Sequence, residues 1–244
     1  MAATPPPGKC IHCLRDSVPR TWDHVFPRAW YPDTTLPDVF KWQVPSCHPC
    51  NNDYGRLEQD LLLRLGLCID PKAAETSGIV PKVLRSLDPR FAKNEKDRRA
   101  RQAKRDEIVG KSLTGHRIPK TGIYPGLGEK WGRPPEQQRA ITIKAKSVQR
   151  LAEKIVRGIF YLEDNRFIEP PYSVSFYAIH DEDAGPFVAL LQKYGSTYAH
   201  EPGIVVRRAV AVEDKTSSVF SIEIWSTFKM YATVDAPEPN PNFS

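Results

Sequence analysis

The sequence predicts an α+β protein: a cysteine-pinned N-terminal module, a basic and partly helical arm, and a small C-terminal α+β domain. Three observations predict it. Four of the five cysteines fall in the first 50 residues as two Cys-x2-Cys pairs. Residues 71–141 are rich in Lys and Arg and lack a long apolar period. From Thr142 an amphipathic helical pattern is followed by alternating β-branched segments. The expected boundaries are 1–70, 71–141 and 142–235, with a disordered Pro- and Asn-rich tail over 236–244.

Composition narrows the classes. A chain of 244 residues can bury a real core. No stretch approaches the ~20 apolar residues of a membrane span, and Met1–Lys9 has no apolar centre of the kind a signal peptide carries. The expectation is a cytoplasmic protein with no membrane partner. Five cysteines are too sparse for a disulfide-stapled miniprotein. The net charge of +6 divides into −1 over residues 1–70, +12 over 71–150 and −5 over 151–244. A basic segment of this kind attracts polyanions by counterion release, nucleic acid first among them; a solvated lysine-rich face is the plainer alternative.

The elements follow in order. Arg20–Pro27 reads as a short strand stopped by proline, and Pro32, Pro37 and Pro45 keep the rest of the loop between the cysteine pairs irregular. Asn51, Asn52 or Asp53 can cap a helix whose apolar stripe is Leu57, Leu61 and Leu65, with Gly66 near its end. Val80–Leu87 and Phe91–Val109 read as helices, and Gly115–Pro135 as an extended connector. Ser147 caps a helix carrying Val148, Leu151, Ala152, Ile155, Ile159 and Leu162 on one face. Ser173–Ile179, Gly203–Val212, Val219–Phe228 and Met230–Val234 read as strands, and Pro186 opens a short helix over Phe187–Tyr194.

The paired motifs Cys10-Ile-His-Cys13 and Cys47-His-Pro-Cys50 suit zinc. Each forms a tight knuckle aiming two thiolates at one point, and two knuckles complete a tetrahedral four-sulfur site. Free buried thiols rarely come as two matched pairs, and reduced cysteines favour metal over disulfide. His12 and His48 lie within the knuckles, but the four-cysteine set is complete without them. Cys68 reads as a small core residue. Between the knuckles, Asp23 and His24 are neighbours on a strand and leave opposite faces. Asn51 sits at a helix start, which favours a phosphate. Carboxylate and carbonyl oxygens are the ligands of Mg²⁺ or Mn²⁺.

Taken together, Cys10-x2-Cys13, Asp23-His24-x2-Pro27 and Cys47-x2-Cys50-Asn51, with the helix through Gly55, resemble the HNH endonucleases, the zinc-containing branch of the ββα-metal superfamily. The resemblance covers roughly residues 9–67. It implies a ββα module, structural zinc on the four cysteines, catalytic Mg²⁺ or Mn²⁺ held by Asp23 and Asn51, and His24 as general base. Glu58, at i+7 from Asn51, is a third ligand, an outer-shell group or a solvent-facing helix residue. The stretch Lys41–Ser46 lacks the family's middle asparagine; Gln43 or a backbone carbonyl is the candidate to orient His24. Position 54 carries tyrosine where a lysine is common in the family.

The implied reaction is metal-assisted phosphodiester hydrolysis, with double-stranded DNA as the expected partner and 5′-phosphate and 3′-hydroxyl products. Arg28 and Arg56 flank the site as candidate phosphate clamps, and Arg98, Arg99, Arg101, Lys104 and Arg105 are candidate backbone contacts. The C-terminal domain carries no assignable motif and is a candidate for target recognition, ligand sensing or homo-oligomerisation. The alternative is a non-catalytic zinc-ribbon nucleic-acid-binding protein derived from such a nuclease.

Overall fold

A computed structural model of the chain describes residues 4–119, 123–124 and 134–236. The expected disordered tail therefore lies outside the described residues from 237 onward, as does most of the 115–135 connector. The architecture is mixed α+β.

The N-terminal region is a hairpin followed by a helix. Strand β1 (Arg20–His24) pairs antiparallel with β2 (Gln43–Cys47), placing Arg20 opposite Cys47 and His24 opposite Gln43. The prolines were expected to keep residues 43–47 irregular, yet Pro45 sits inside β2, opposite Trp22. A two-stranded ribbon has two free edges, so the missing Pro45 N–H can point outward, while the Pro45 carbonyl accepts from Ile11 N–H at 3.2 Å. Helix α1 (His48–Leu65) begins three residues before the expected caps. Cys47 is its N-cap residue and Pro49 lies in its first turn, so the second knuckle is itself the helix start.

Helices α2 (Ile79–Leu87) and α3 (Glu95–Ile108) follow, α3 capped by the Asn94 side chain accepting from Asp97 N–H at 2.9 Å. The two-residue strands β3 (Leu113–Thr114) and β4 (Arg139–Ala140) pair antiparallel. Helix α4 (Ala145–Asp164) ends at Asn165, whose φ of 51° closes it in the left-handed conformation.

The C-terminal sheet contains β5 (Ser173–Tyr177), β6 (Ser196–His200), β7 (Ile204–Val210), β8 (Ser218–Ile224) and β9 (Phe228–Asp235), in the order β5-β9-β8-β7-β6, all antiparallel. Helix α5 (Gly185–Tyr194) lies between β5 and β6 in the chain. Strand β6 carried no sequence signal, because Ser196-Thr-Tyr-Ala-His200 is neither strongly alternating nor strongly apolar; it is an edge strand. The expected strand through Phe228 breaks at Trp225 and Ser226, which take φ of 53° and 49°. Trp225 accepts this strain because its ring is buried and its Nε1–H donates to the Trp30 carbonyl at 2.8 Å.

Alternation along the sheet separates two faces. Val206, Phe220, Ile222, Met230 and Ala232 point toward α4 and the hairpin, whereas Ala209, Val219 and Tyr231 point toward α5. The first face does not form an independent core. Val25, Phe26 and Trp30 of the N-terminal region join Leu151, Ile155 and Ile159 of α4 and Trp225 and Phe228 of the sheet in one buried cluster, the Trp30 and Trp225 rings 5.2 Å apart. Cys68 packs partly buried against this cluster, as expected.

Candidate functional site

The four thiols converge. The first knuckle turns tightly, with Cys10 N–H donating to the Arg15 carbonyl and Leu14 N–H to the Cys10 carbonyl, at 2.9 and 3.0 Å. The β1–β2 ladder then carries Cys47 alongside it, and Cys47 N–H donates to Cys10 Sγ at 3.3 Å. The ligand atoms of Cys10, Cys13, Cys47 and Cys50 all lie within 4.8 Å of one another, and Cys13 and Cys47 Sγ are 3.8 Å apart. Four sulfurs each ~2.3 Å from a central ion stand ~3.8 Å from one another, so the cluster is compatible with zinc. Arg15 donates to Cys13 Sγ at 3.4 Å. Burial raises the Cys13 thiol, but the Arg15 hydrogen bonds outweigh it and hold it down at about 6. Cys50 is pushed up by burial and by its neighbouring sulfurs. Four thiolates this close cannot all ionise without a cation among them. His48 is exposed and His12 is engaged elsewhere, so neither enters the sulfur set.

Beside the sulfurs lies a second, buried polar cluster. Helix α1 turns Asn51, Tyr54 and Glu58 toward β1. Asn51 Nδ2 donates to the Trp22 carbonyl at 3.3 Å, the Tyr54 ring lies 4.4 Å from the His12 ring, and Glu58 meets Lys154 of α4. Lys154 Nζ also donates to Asp23 Oδ1 at 2.8 Å, while His12 Nε2–H donates to Asp23 Oδ2 at 2.8 Å. Asp23 is 4% exposed and Lys154 0%. Burial raises the Asp23 carboxyl, but the His12 hydrogen bond and the Lys154 charge outweigh it and hold it below its ordinary value. Burial pushes Glu58 up against the pull of Lys154. Burial also lowers His12, which keeps its ring neutral with Nδ1 as a buried atom without a partner. At position 54, where the resemblance has a lysine, the chain has Tyr54, and the Lys154 ammonium lies 5.4 Å from its ring.

His24 leaves the other face of β1, as the strand geometry requires. It is half-buried, and Gln43 Nε2, from the residue paired with it across the hairpin, lies 3.0 Å from His24 Nε2. The amide and the ring share this contact, and the ring tautomer follows which amide atom, N or O, faces it. Burial lowers His24; the Asp23 charge opposes this, and Lys154, Arg28 and Lys41 reinforce it. Trp42, next to Gln43, stacks on His200 of β6 at 3.9 Å, and His200 Nδ1 is hydrogen-bonded to Tyr31 Oη at 2.8 Å. The C-terminal sheet thus buttresses the end of β2 from which Gln43 reaches His24.

The basic residues divide. Arg28 and Arg56 are exposed, and Arg56 lines an open groove of about 780 Å³ with Asn51, Asn52, Gly55, Gln59, Asp60 and Lys104. Arg98 and Arg99 are exposed and both pair with Glu95, and Arg105 is exposed. Arg101 instead clamps α3 to α2, pairing with Asp97 and donating to the Arg85 carbonyl at 2.8 Å. Lys104 joins α3 to α1 by pairing with Asp60 at 2.5 Å and Glu107 at 2.8 Å.

Lys154 and His12 were the residues the sequence reading missed. Lys154 sits on the flank of the α4 apolar stripe, three residues after Leu151 and four before Gly158. A lysine there can keep its ammonium in water by extending its stem, so the sequence carries no signal that Lys154 is buried. No family model, no curated protein and no solved structure matches this chain.

Proposed function

We propose that residues 9–67 form an HNH-type ββα module that hydrolyses phosphodiester bonds of nucleic acid, with DNA as the substrate and His24 as the general base. The hairpin–helix order, the thiol cluster pinning its ends and the tie from Asn51 to β1 all support this reading. The observation that carries it is the Gln43–His24 contact, which supplies the orienting partner for which the sequence offered Gln43 as a candidate.

His24, lowered by burial, is neutral near pH 7 and able to accept a proton from water. A half-turn of the Gln43 amide places Oε1 where Nε2 stands. The ring then carries its proton on Nε2, held by Gln43, and Nδ1 becomes the basic nitrogen. Arg28 and Lys41, whose charges both act on His24, supply positive charge toward a bound phosphate.

The resemblance also implies Mg²⁺ or Mn²⁺ on Asp23, Asn51 and Glu58. The chemistry of these donors suits such an ion, but their engagement does not. Both Asp23 oxygens are taken, by Lys154 and His12, and Glu58 is paired with the same ammonium. Among the described residues the four cysteines are the one group of three or more His, Cys, Asp or Glu whose ligand atoms converge within 4.8 Å. The divalent ion does not fit beside the Lys154 ammonium.

The test is plasmid nicking by the zinc-loaded full chain, in Mg²⁺ and in Mn²⁺, beside His24→Ala. The expected result is a loss of about 10²-fold or more, with unchanged circular dichroism. Cutting at the parental rate by His24→Ala overturns the assignment. The second reading, a non-catalytic nucleic-acid-binding derivative, is favoured by the ammonium seated on Asp23. It predicts retention of DNA with no cutting in either metal.

A further inference from the structure

Asp23 on β1 and Glu58 on α1 face a common point in the cleft between hairpin and helix. The group at that point is the ammonium of Lys154, from α4, 131 residues beyond Asp23 and 96 beyond Glu58. We propose that Lys154 is the resident cation of this cleft: it supplies the positive charge between Asp23 and Glu58 and keeps divalent ions out. The inference concerns the metal of the site proposed above, but it holds whether or not that site cleaves.

Three features support it. The first is occupancy. Lys154 donates to both carboxylates, and His12 covers the remaining Asp23 oxygen. A divalent ion placed between these carboxylates would stand within contact distance of a like charge. The second is access. Lys154 is fully buried and Asp23 is 4% exposed. Mg²⁺ and Mn²⁺ retain several waters, and these buried groups face protein atoms in place of solvent. The third is the seating of α4. Gly158, one turn beyond Lys154, lies so close to the end of β1 that a Cβ there would stand 2.5 Å from Cγ2 of Val25, the residue after the strand. Val25 follows β1 directly, two residues beyond Asp23, so the glycine contact and the lysine contact hold α4 against the same short stretch of chain. Helix packing thus fixes the backbone from which Lys154 reaches Asp23 and Glu58.

The experiment is a Mn²⁺ titration of the zinc-loaded full chain, with free Mn²⁺ read by electron paramagnetic resonance. Wild type, Asp23→Asn, Lys154→Met and the double variant Asp23→Asn/Lys154→Met are compared. Wild type is expected to take up no Mn²⁺ at millimolar concentration. Lys154→Met, left with Asp23 and Glu58 and no ammonium, is expected to take up one ion and to gain about 5 °C or more in Tm at saturation; the double variant should take up none. Uptake of one ion by wild type that Asp23→Asn abolishes overturns the inference. So does a folded Lys154→Met that takes up no Mn²⁺. If Lys154→Met does not fold, the comparison of wild type with Asp23→Asn still decides. Because ion uptake is the readout, failure of the cleavage assay does not alter the result, and a wild-type chain that nicks DNA while taking up no Mn²⁺ satisfies both proposals.

Discussion

Replacing Lys154 by methionine deletes one ammonium while keeping most of the stem that packs in α4. Removing one partner of a buried ion pair costs about 3–5 kcal/mol, because the other charge is left uncompensated. Here Asp23, 4% exposed, keeps one hydrogen bond from His12 at 2.8 Å. The Glu58 side chain is 16% exposed and already raised by burial, so it can take up a proton. Both features place the loss at the lower end, about 3 kcal/mol, or roughly 6–12 °C in Tm for a chain of this size. Adding Asp23→Asn removes the stranded charge, and the double variant should recover at least half of the loss. Urea unfolding of the zinc-loaded protein reads the change through Trp30 and Trp225, both buried. A Lys154→Met protein within about 0.5 kcal/mol of wild type, the range of an ordinary surface change, would refute the claim that this ammonium neutralises a buried carboxylate.

Other outcomes follow from the same contacts. Gly158→Ala improves intrinsic helix propensity by about 1 kcal/mol, yet the close approach to Val25 reverses the sign, and a net destabilisation of about 1–3 kcal/mol is expected in urea melts; a stabilised variant contradicts the packing argument. One zinc per chain is expected by elemental analysis, and chelation should lower Tm sharply, because the binding free energy of the ion is then lost from the folded state. His12 and His24 are both lowered by burial, so between their folded values and 6.5 the unfolded chain binds more protons. Their contribution to stability is complete above pH 6.5 and is lost as pH falls through the folded values. In the nicking assay the acid limb attributed to His24 should have its midpoint below pH 6.5, and a midpoint above it would contradict the role of burial. Cys68, pushed up by burial to about 11, should react slowly with a thiol reagent at pH 8 in zinc-loaded protein; immediate reaction of one thiol per chain, mapped to Cys68, would show otherwise.

Much of the site was legible because its parts are local. Two cysteines three residues apart can form a knuckle whatever surrounds them, and the pairing of Arg20 with Cys47 then brings the two knuckles together. Gln43 was identifiable as a partner for His24 because the two face each other across one short hairpin. The start of α1 was misplaced because Cys47 and Pro49, read as parts of a metal knuckle, also serve as its cap and first turn. Arg101 and Lys104 read as free cations because sequence shows charge but not the Asp97, Asp60 and Glu107 carboxylates that meet them.

By itself the sequence determined the α+β class, the convergence of four thiols and the placing of Asp23 and His24 on opposite faces of one strand. Each follows from spacing of a few residues and the fixed geometry of turns, strands and helices. Only the tertiary structure decided what Asp23 does. Its partner arrives on α4 because an apolar helix stripe must be buried against whatever apolar surface the rest of the chain offers. That docking carries Lys154 into the cleft, where a buried carboxylate and a buried ammonium can each be tolerated only in the presence of the other.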